Sequence, residues 1–204
     1  MTTKTILTLS FIFLFSSCKN SDTQSVKLSS QQDSNKNNSK NAKYDWHKLE
    51  VFGEKDILID SKLSRFTNYK DFIKVFGEPD SIANSAYLGL CYSIFEGIDS
   101  KFIYKDSSTF EMLNKKIALS EFRFCKNNFI KMKDYTLNSN QTIETLKSTF
   151  PYPIEHISKI NVYQEGVLDV IKLKINDETS VDDFCILMFF KNEHLYMIHW
   201  FQWC

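Results

Sequence analysis

The spacing of apolar side chains predicts two short amphipathic helices. In residues 68–76 the apolar positions fall at i, i+3, i+4 and i+7, and in residues 142–150 they fall at i, i+3 and i+7. Both spacings put the apolar side chains on one face of an α-helix. Asn or Thr residues that can cap a helix begin each segment, and Pro79 and Pro153 follow as residues that end helices.

Short runs of aromatic and β-branched residues predict strands in the rest of the chain. Alternation is clearest in residues 171–175, where Lys172 and Lys174 separate three aliphatic side chains, a pattern typical of an antiparallel sheet with one solvated face. A helix followed by about four strands, twice, predicts an α+β fold: one continuous antiparallel sheet with short helices packed on one side. The predicted strands are 90–95, 101–104, 117–125 and 129–135, then 160–163, 167–175, 184–190 and 195–203.

Two sequence matches suggest that the chain contains an internal repeat. The two helical segments end in Phe-x-x-Pro patterns 74 residues apart, and the apolar segments around Lys126-Asn127 and Lys191-Asn192 match at an offset of 65. Both segments have the pattern of a strand, a Lys-Asn turn and a second strand. The matches predict a tandem duplication of an αβ4 unit, with repeats at about 57–135 and 136–204. The alternative is an ordinary α+β sequence whose turns happen to be similar.

The N-terminus predicts export and lipidation. An apolar run at 6–15 follows Lys4 and precedes small residues and Cys18, as in a secretory signal peptide. Ten helical residues span about 15 Å, half of the roughly 30 Å bilayer core. Phe15-Ser16-Ser17-Cys18 resembles the lipobox of bacterial lipoproteins, although Phe15 stands where that family usually has Leu. The resemblance implies removal of residues 1–17 and acylation of Cys18; an ordinary cleaved signal peptide is the alternative.

Composition then divides the mature chain into a tether and one domain. Residues 18–43 are rich in Ser, Asn and Gln and contain few large apolar side chains, which predicts a disordered tether. Residues 44–204 form the predicted globular domain. Lys19 after the cysteine favours the outer over the inner membrane, by comparison with enterobacterial sorting. The predicted location is therefore the bacterial cell envelope, with a lipid-mediated membrane attachment.

Charge and motifs exclude several classes of function. The chain has 25 basic and 25 acidic side chains and a formal net charge of zero, which gives no basic surface for a nucleic acid. It has only five glycines and neither of the glycine-rich nucleotide-binding motifs. We predict no nucleic-acid partner, no nucleotide, no cofactor and no metal. Four cysteines remain after Cys18, which permits up to two disulfides without requiring any; they are Cys91, Cys125, Cys185 and Cys204.

Residues 56–80 carry a second resemblance. A strand, a short helix and the turn Gly77-Glu78-Pro79-Asp80 resemble the opening of the SmpA/OmlA outer-membrane assembly lipoproteins and their β-lactamase-inhibitor-protein relatives. The resemblance implies tandem αβ4 repeats and a binding function rather than an enzymatic one. The second copy lacks the corresponding glycine.

The last strand supplies the candidate binding residues. Alternation along 195–203 places Tyr196 and Trp200 on one face and Trp203 on the other, so both faces of this strand are apolar. An exposed aromatic surface is typical of a protein-binding site. The leading hypothesis is a lipid-anchored, non-enzymatic envelope protein, of the assembly or inhibitor/immunity type, that binds another protein through a sheet face. The alternative is a small envelope hydrolase whose catalytic residues come from distant parts of the chain.

Overall fold

The described residues form two sheets and a few short helices. In a computed structural model these residues are 44–84, 94–95, 99–125, 127–175 and 184–202. All of them belong to one compact unit, Ala42–Cys204. The predicted signal peptide, Cys18, the tether and Trp203 lie outside the described residues, as does most of the predicted strand 90–95. No helix within the described ranges is long and apolar enough to cross a membrane.

Thirteen strands and three α-helices occur in the described part of the chain. In chain order they are β1 (Ile57–Ile59), β2 (Leu63–Ser64), β3 (Phe66–Asn68), α1 (Tyr69–Phe76), β4 (Ser81–Asn84), β5 (Lys101–Lys105), β6 (Ser108–Leu113), β7 (Lys116–Arg123), β8 (Phe129–Met132), β9 (Tyr135–Asn138), α2 (Ile143–Leu146), α3 (Pro151–Glu155), β10 (Ser158–Val162), β11 (Gly166–Lys174), β12 (Phe184–Lys191) and β13 (His194–Gln202). Most of the predicted strands are confirmed within one or two residues. Five strands were not predicted: β2, β3, β4, β6 and β9.

The larger sheet joins two four-stranded meanders. Its order is β10-β11-β12-β13-β7-β6-β5-β4, with β3 pairing with the start of β7. Strands β4 to β7 form the first meander and follow α1; strands β10 to β13 form the second and follow α2 and α3. The last strands of the two meanders, β7 and β13, pair antiparallel and make the sheet continuous. The α+β prediction is confirmed, with the helices on one side: the buried helical residues Phe72, Leu146 and Ile154 all belong to the main core.

The prediction of a single sheet is wrong. A second, four-stranded sheet has the order β2-β1-β8-β9. The predicted hairpin at Lys126-Asn127 does not exist, because β7 pairs with β6 and β13 whereas β8 pairs with β1 and β9. Asn128 forms a corner here: its side-chain amide donates to the Arg123 carbonyl oxygen at 2.8 Å, and its side-chain oxygen accepts from the Cys125 N–H at 2.7 Å. The chain therefore crosses to the second sheet after Phe124.

A different turn occupies the place of the missing hairpin. The Lys191-Asn192 prediction is confirmed, since β12 and β13 form a hairpin whose turn is Asn192-Glu193. Between β6 and β7, at the same position in the first meander, lies Asn114-Lys115. Both residues of both turns have positive φ values, as in the tight turns that match strand twist. The two turns are 78 residues apart. The sequence match at an offset of 65 therefore aligned segments that do not occupy equivalent positions in the two meanders.

The first predicted helix is confirmed and the second is broken. The side chain of Asn68 caps α1 by accepting from the Asp71 N–H at 2.9 Å, and Gly77 ends the helix at φ +76°. In the second segment α2 ends at Leu146 and α3 begins at Pro151. Proline has no N–H to continue a helix but fits a first helical turn. Pro151 therefore starts a new helix where the sequence analysis expected the first one to end.

Candidate functional site

Trp200, the central residue of the predicted binding face, lies in the core. Only 2% of its surface is exposed, and it packs in the main cluster with Ile198 and Leu195. The guanidinium carbon of the buried Arg65 lies 5.0 Å from the centre of the Trp200 ring system. The expectation of a solvent-facing Trp200 is therefore wrong in this fold, and Trp203 lies outside the described residues.

Tyr196 lies on the other face of the sheet from Trp200, because a β-bulge interrupts the alternation. Phe190 pairs with Leu195 whereas Phe189 pairs with Met197, so β13 has one extra residue at this point. Tyr196 packs against a second apolar cluster, formed by β10 to β13 on the face away from the helices. The sequence analysis assumed unbroken alternation and so placed Tyr196 and Trp200 together.

Tyr196 belongs to a group of four polar side chains that we call the clasp: Arg123, Glu165, Lys191 and Tyr196. Arg123 Nη1 donates to Tyr196 Oη at 2.6 Å and also to Glu165 Oε1. Lys191 Nζ donates to the other Glu165 oxygen at 2.8 Å. Both cations also lie over the Tyr196 ring, with Lys191 Nζ 5.0 Å from its centre. The clasp joins the last strand of the first meander to three strands or turns of the second.

The charged groups of the clasp stabilise one another's charged forms. Hydrogen bonds from Lys191, Arg123 and Tyr196 lower the pKa of Glu165 from 4.5 to about 2. Burial alone would lower the pKa of Arg123, but its bonds to Glu165 and Glu121 raise it overall. The pKa of Lys191 is raised by its bond to Glu165. All three groups are therefore charged at neutral pH, with each charge compensated by a neighbour.

The clasp lies on the face of the large sheet away from the helices, the face that also carries the second apolar cluster. Glu165 lies in the turn between β10 and β11, and β11 is three strands from β7 in the sheet order. The ion pair between Glu165 and Arg123 of β7 therefore ties this turn to the other meander across the face. We call this face the outer face.

An open groove lies on the outer face across β5, β6, β7 and β13. Its volume is about 610 Å³. Phe102 and Tyr104 point into it, since Ile103 between them is in the main core. Tyr163, in the same turn as Glu165, is part of the lining and is 88% exposed. The rest of the lining is Thr109, Ser120, Glu121 and His199.

The polar residues at the groove carry little free charge. Glu121 Oε1 accepts a hydrogen bond from Arg123 Nε at 2.8 Å, which compensates its carboxylate. Burial lowers the pKa of His199, although Glu121 partly opposes this, so the imidazole is neutral at neutral pH. Within the described residues no hydrogen bond joins His199 to Ser120 or to a carboxylate, so this structure does not hold the three groups in a catalytic arrangement.

The sequence pattern did not identify Tyr163 as a candidate binding residue. It predicts Tyr163 as the end of a strand, with Gln164-Glu165-Gly166 between two strands. An aromatic residue beside such a turn is the signal that could have identified it. Gln164 and Gly166 both have positive φ in this turn, a conformation that glycine adopts without strain.

The structure also describes two of the cysteines and the Gly-x-Pro-Asp turn. Cys125 and Cys185 are free thiols, exposed and buried respectively, and burial raises the pKa of Cys185 to about 11. No group of three or more potential metal ligands occurs among the described residues. Asp80, of the Gly-x-Pro-Asp turn, accepts from the Asp106 N–H at 2.8 Å and from Lys105 Nζ at 3.0 Å, and so fixes the β5–β6 turn.

Comparison with known proteins identifies no relative. No protein-family model, no curated protein and no solved structure gives a significant match to the chain.

Proposed function

We propose that this chain is a lipid-anchored, non-enzymatic protein of the bacterial cell envelope that binds another protein through the outer face of its larger sheet. The observation that carries the proposal is Tyr163, an almost fully exposed aromatic residue in the lining of an open groove, two residues from the Glu165 that the clasp holds. Tyrosine offers a large contact area with few rotamers to restrict, and it often dominates binding energy at protein interfaces. This function places the binding surface around Tyr163 rather than Trp200.

The proposed anchor is the acylated Cys18, with residues 18–43 as a tether of about 25–30 Å if it behaves as a flexible coil. The domain from residue 44 carries 19 basic and 23 acidic side chains, so a lipid and not a basic surface accounts for membrane attachment. Cys18→Ser should abolish lipidation. Mass spectrometry of the mature N-terminus would then show an uncleaved precursor or a soluble product, and an unmodified Cys18 in the natural protein would refute the anchor.

The meander topology supports a proposed tandem duplication of an αβ4 unit, similar to that of the SmpA/OmlA and β-lactamase-inhibitor-protein families. The equivalent strands in this proposal are β4 to β7 and β10 to β13. They follow helices at equivalent positions and meet through β7 and β13. In this proposal the repeats run from α1 to β7 and from α2 to β13 rather than over the predicted 57–135 and 136–204, and β8 and β9 connect them.

Affinity capture tests the binding function. Full-length protein with a photo-crosslinking residue at Tyr163 should capture a discrete envelope protein in cells. The same residue at Val167 is a matched control, because Val167 is on the same hairpin, is 65% exposed and does not line the groove. Equal capture from both positions, or none from Tyr163, would contradict binding at the groove.

A small hydrolase is the second candidate function, because the groove brings Ser120, Glu121 and His199 to one surface. Catalysis would require His199 to rotate or shift so that it bonds to Ser120 when substrate binds. Turnover of chromogenic ester or amide substrates that is lost in Ser120→Ala would favour the hydrolase. Crosslinking at Tyr163 without any turnover would favour the binding protein.

A further inference from the structure

We propose that the groove accepts one aromatic side chain, preferably a tyrosine, from a loop of the partner protein. This inference rests on the proposed binding function and specifies the chemistry that the groove recognises. It follows from the shape of the groove, its charges, its neutral polar groups and its rigidity.

The lining of the groove is rich in aromatic side chains. It includes Phe102 and Tyr104 of β5 and Tyr163 of the β10–β11 turn. Aromatic rings pack favourably edge-to-face or offset against one another when their centres are 4.5–7 Å apart. A volume of about 610 Å³ leaves room for one large side chain and part of its backbone. An inserted ring can therefore contact aromatic carbon of the lining.

The charges at the groove argue against a charged anchor. The only carboxylate of the lining is Glu121, and it is already bonded to Arg123. His199 is held neutral by burial. A lysine or carboxylate inserted here would lose its hydration without gaining an unpaired opposite charge, which is costly. The groove therefore favours an uncharged side chain.

Neutral hydrogen-bonding groups distinguish tyrosine from phenylalanine or leucine. Thr109 and Ser120 each offer a hydroxyl, and His199 offers an imidazole that can donate through one nitrogen and accept through the other. A phenolic hydroxyl is both donor and acceptor and is large enough to displace water from such a site. Saccharides also carry hydroxyls, but they need many hydrogen bonds, and most of this lining is aromatic carbon.

The clasp restrains the turn that carries Tyr163. Glu165 follows Tyr163 by two residues and is bonded to both Arg123 of β7 and Lys191 of β12. A turn that is already ordered reduces the entropy lost on binding.

Fluorine NMR of the full-length chain in detergent tests the inference. The protein would be labelled with 3-fluorotyrosine at its nine tyrosines, and Tyr163→Phe and Tyr104→Phe would assign two of the resonances. The probes are N-acetyl-tyrosine amide, N-acetyl-lysine amide, N-acetyl-aspartate amide and N-acetylglucosamine. We expect the tyrosine probe to shift the Tyr163 and Tyr104 resonances saturably, with a dissociation constant in the millimolar range, and the charged probes to bind at least about tenfold more weakly.

Variants distinguish the groove from non-specific binding. Tyr104→Ala removes an aromatic ring from the lining and should lower the affinity for the tyrosine probe at least about fivefold. Val167→Ala, on the β10–β11 hairpin but outside the groove, should not change that affinity. Equal binding of charged and aromatic probes, a response to the saccharide alone, no saturable shift, or an unchanged affinity in Tyr104→Ala would each overturn the inference. Failure of the probe together with successful crosslinking from Tyr163 would reject the aromatic anchor and leave the proposed binding function standing.

Discussion

Replacing Trp200 with alanine should destabilise the domain strongly, because this residue is part of the core. A buried Trp removes about 150–250 Å² from water, and at about 25 cal/mol per Å² this is worth roughly 4–6 kcal/mol. Measured losses for Phe or Trp to Ala in cores are about 3–5 kcal/mol. We expect Trp200→Ala to lose a similar amount, since its exposure is only 2%.

Thermal unfolding by circular dichroism measures the effect. In a domain of about 160 residues each kcal/mol lowers the midpoint by roughly 2–4 °C, so the expected fall is about 6–20 °C. Tyr163→Ala is the matched control, because an 88% exposed residue should change the midpoint by no more than about 2 °C. A Trp200→Ala midpoint within 2 °C of this control would refute the placement of Trp200 in the core.

A second variant keeps the prediction testable if Trp200→Ala fails to fold. The indole N–H of Trp200 is buried and has no hydrogen-bond partner among the described residues, which is unfavourable. Trp200→Phe removes that N–H and keeps a ring against Arg65. We expect it to lose less than half as much stability as Trp200→Ala, and an equal loss would contradict this account of the site.

Three further predictions concern polar interactions. Because the pKa of Glu165 is lowered to about 2, its carboxylate stabilises the fold fully above pH 4.5, and this stabilisation is lost as the pH falls toward about 2. In Glu165→Gln, the free energy of unfolding measured in urea at several pH values should no longer show this part of the acid dependence. Asp80→Ala should accelerate hydrogen exchange at the Asp106 amide without changing exchange in β12, since it deletes the bond at 2.8 Å. Glu54→Ala leaves the fully buried Arg65 side chain without its ion pair and should lower the free energy of unfolding, measured by chemical denaturation, by about 3–5 kcal/mol. The double variant Glu54→Gln/Arg65→Met should have a stability closer to that of the natural protein.

Helix and strand positions were predictable because periodicity and capping are local properties. Asn68 and Gly77 lie at the two ends of α1, and the confirmed strands of the second meander follow runs of apolar residues. The strand β6 was missed because Ser108, Glu111 and the two turns around it dilute its apolar pattern. Both residues are nonetheless buried, and their burial depends on neighbouring strands that a local pattern does not contain.

The position of the groove was not predictable in the same way. Two bulges, one in β13 and one where β6 meets β7, shift the side chains that follow them to the opposite face. The first of these separated Tyr196 from Trp200. The clasp joins residues of β7, β12, β13 and the β10–β11 turn, and its formation depends on the long-range pairing of the two meanders through β7 and β13. The sequence shows four polar residues but not that they meet.

The two meanders differ most at one connection, and that difference creates the proposed binding surface. In the first meander β4 and β5 are separated by residues 85–100, whereas β10 and β11 are separated by only three residues. The short connection holds Glu165 against Arg123 and Lys191, and Tyr163 in the same connection lines the groove with Phe102 and Tyr104 of β5. If the chain arose by duplication, the shared parts of the repeats explain the sheet and the helices beneath it, and the divergent turn explains the groove. Replacing Gln164 and Glu165 with glycine, with the crosslinking residue kept at position 163, should therefore leave the main core stable and abolish the crosslink, because the core contacts of β11 and β12 do not involve the turn.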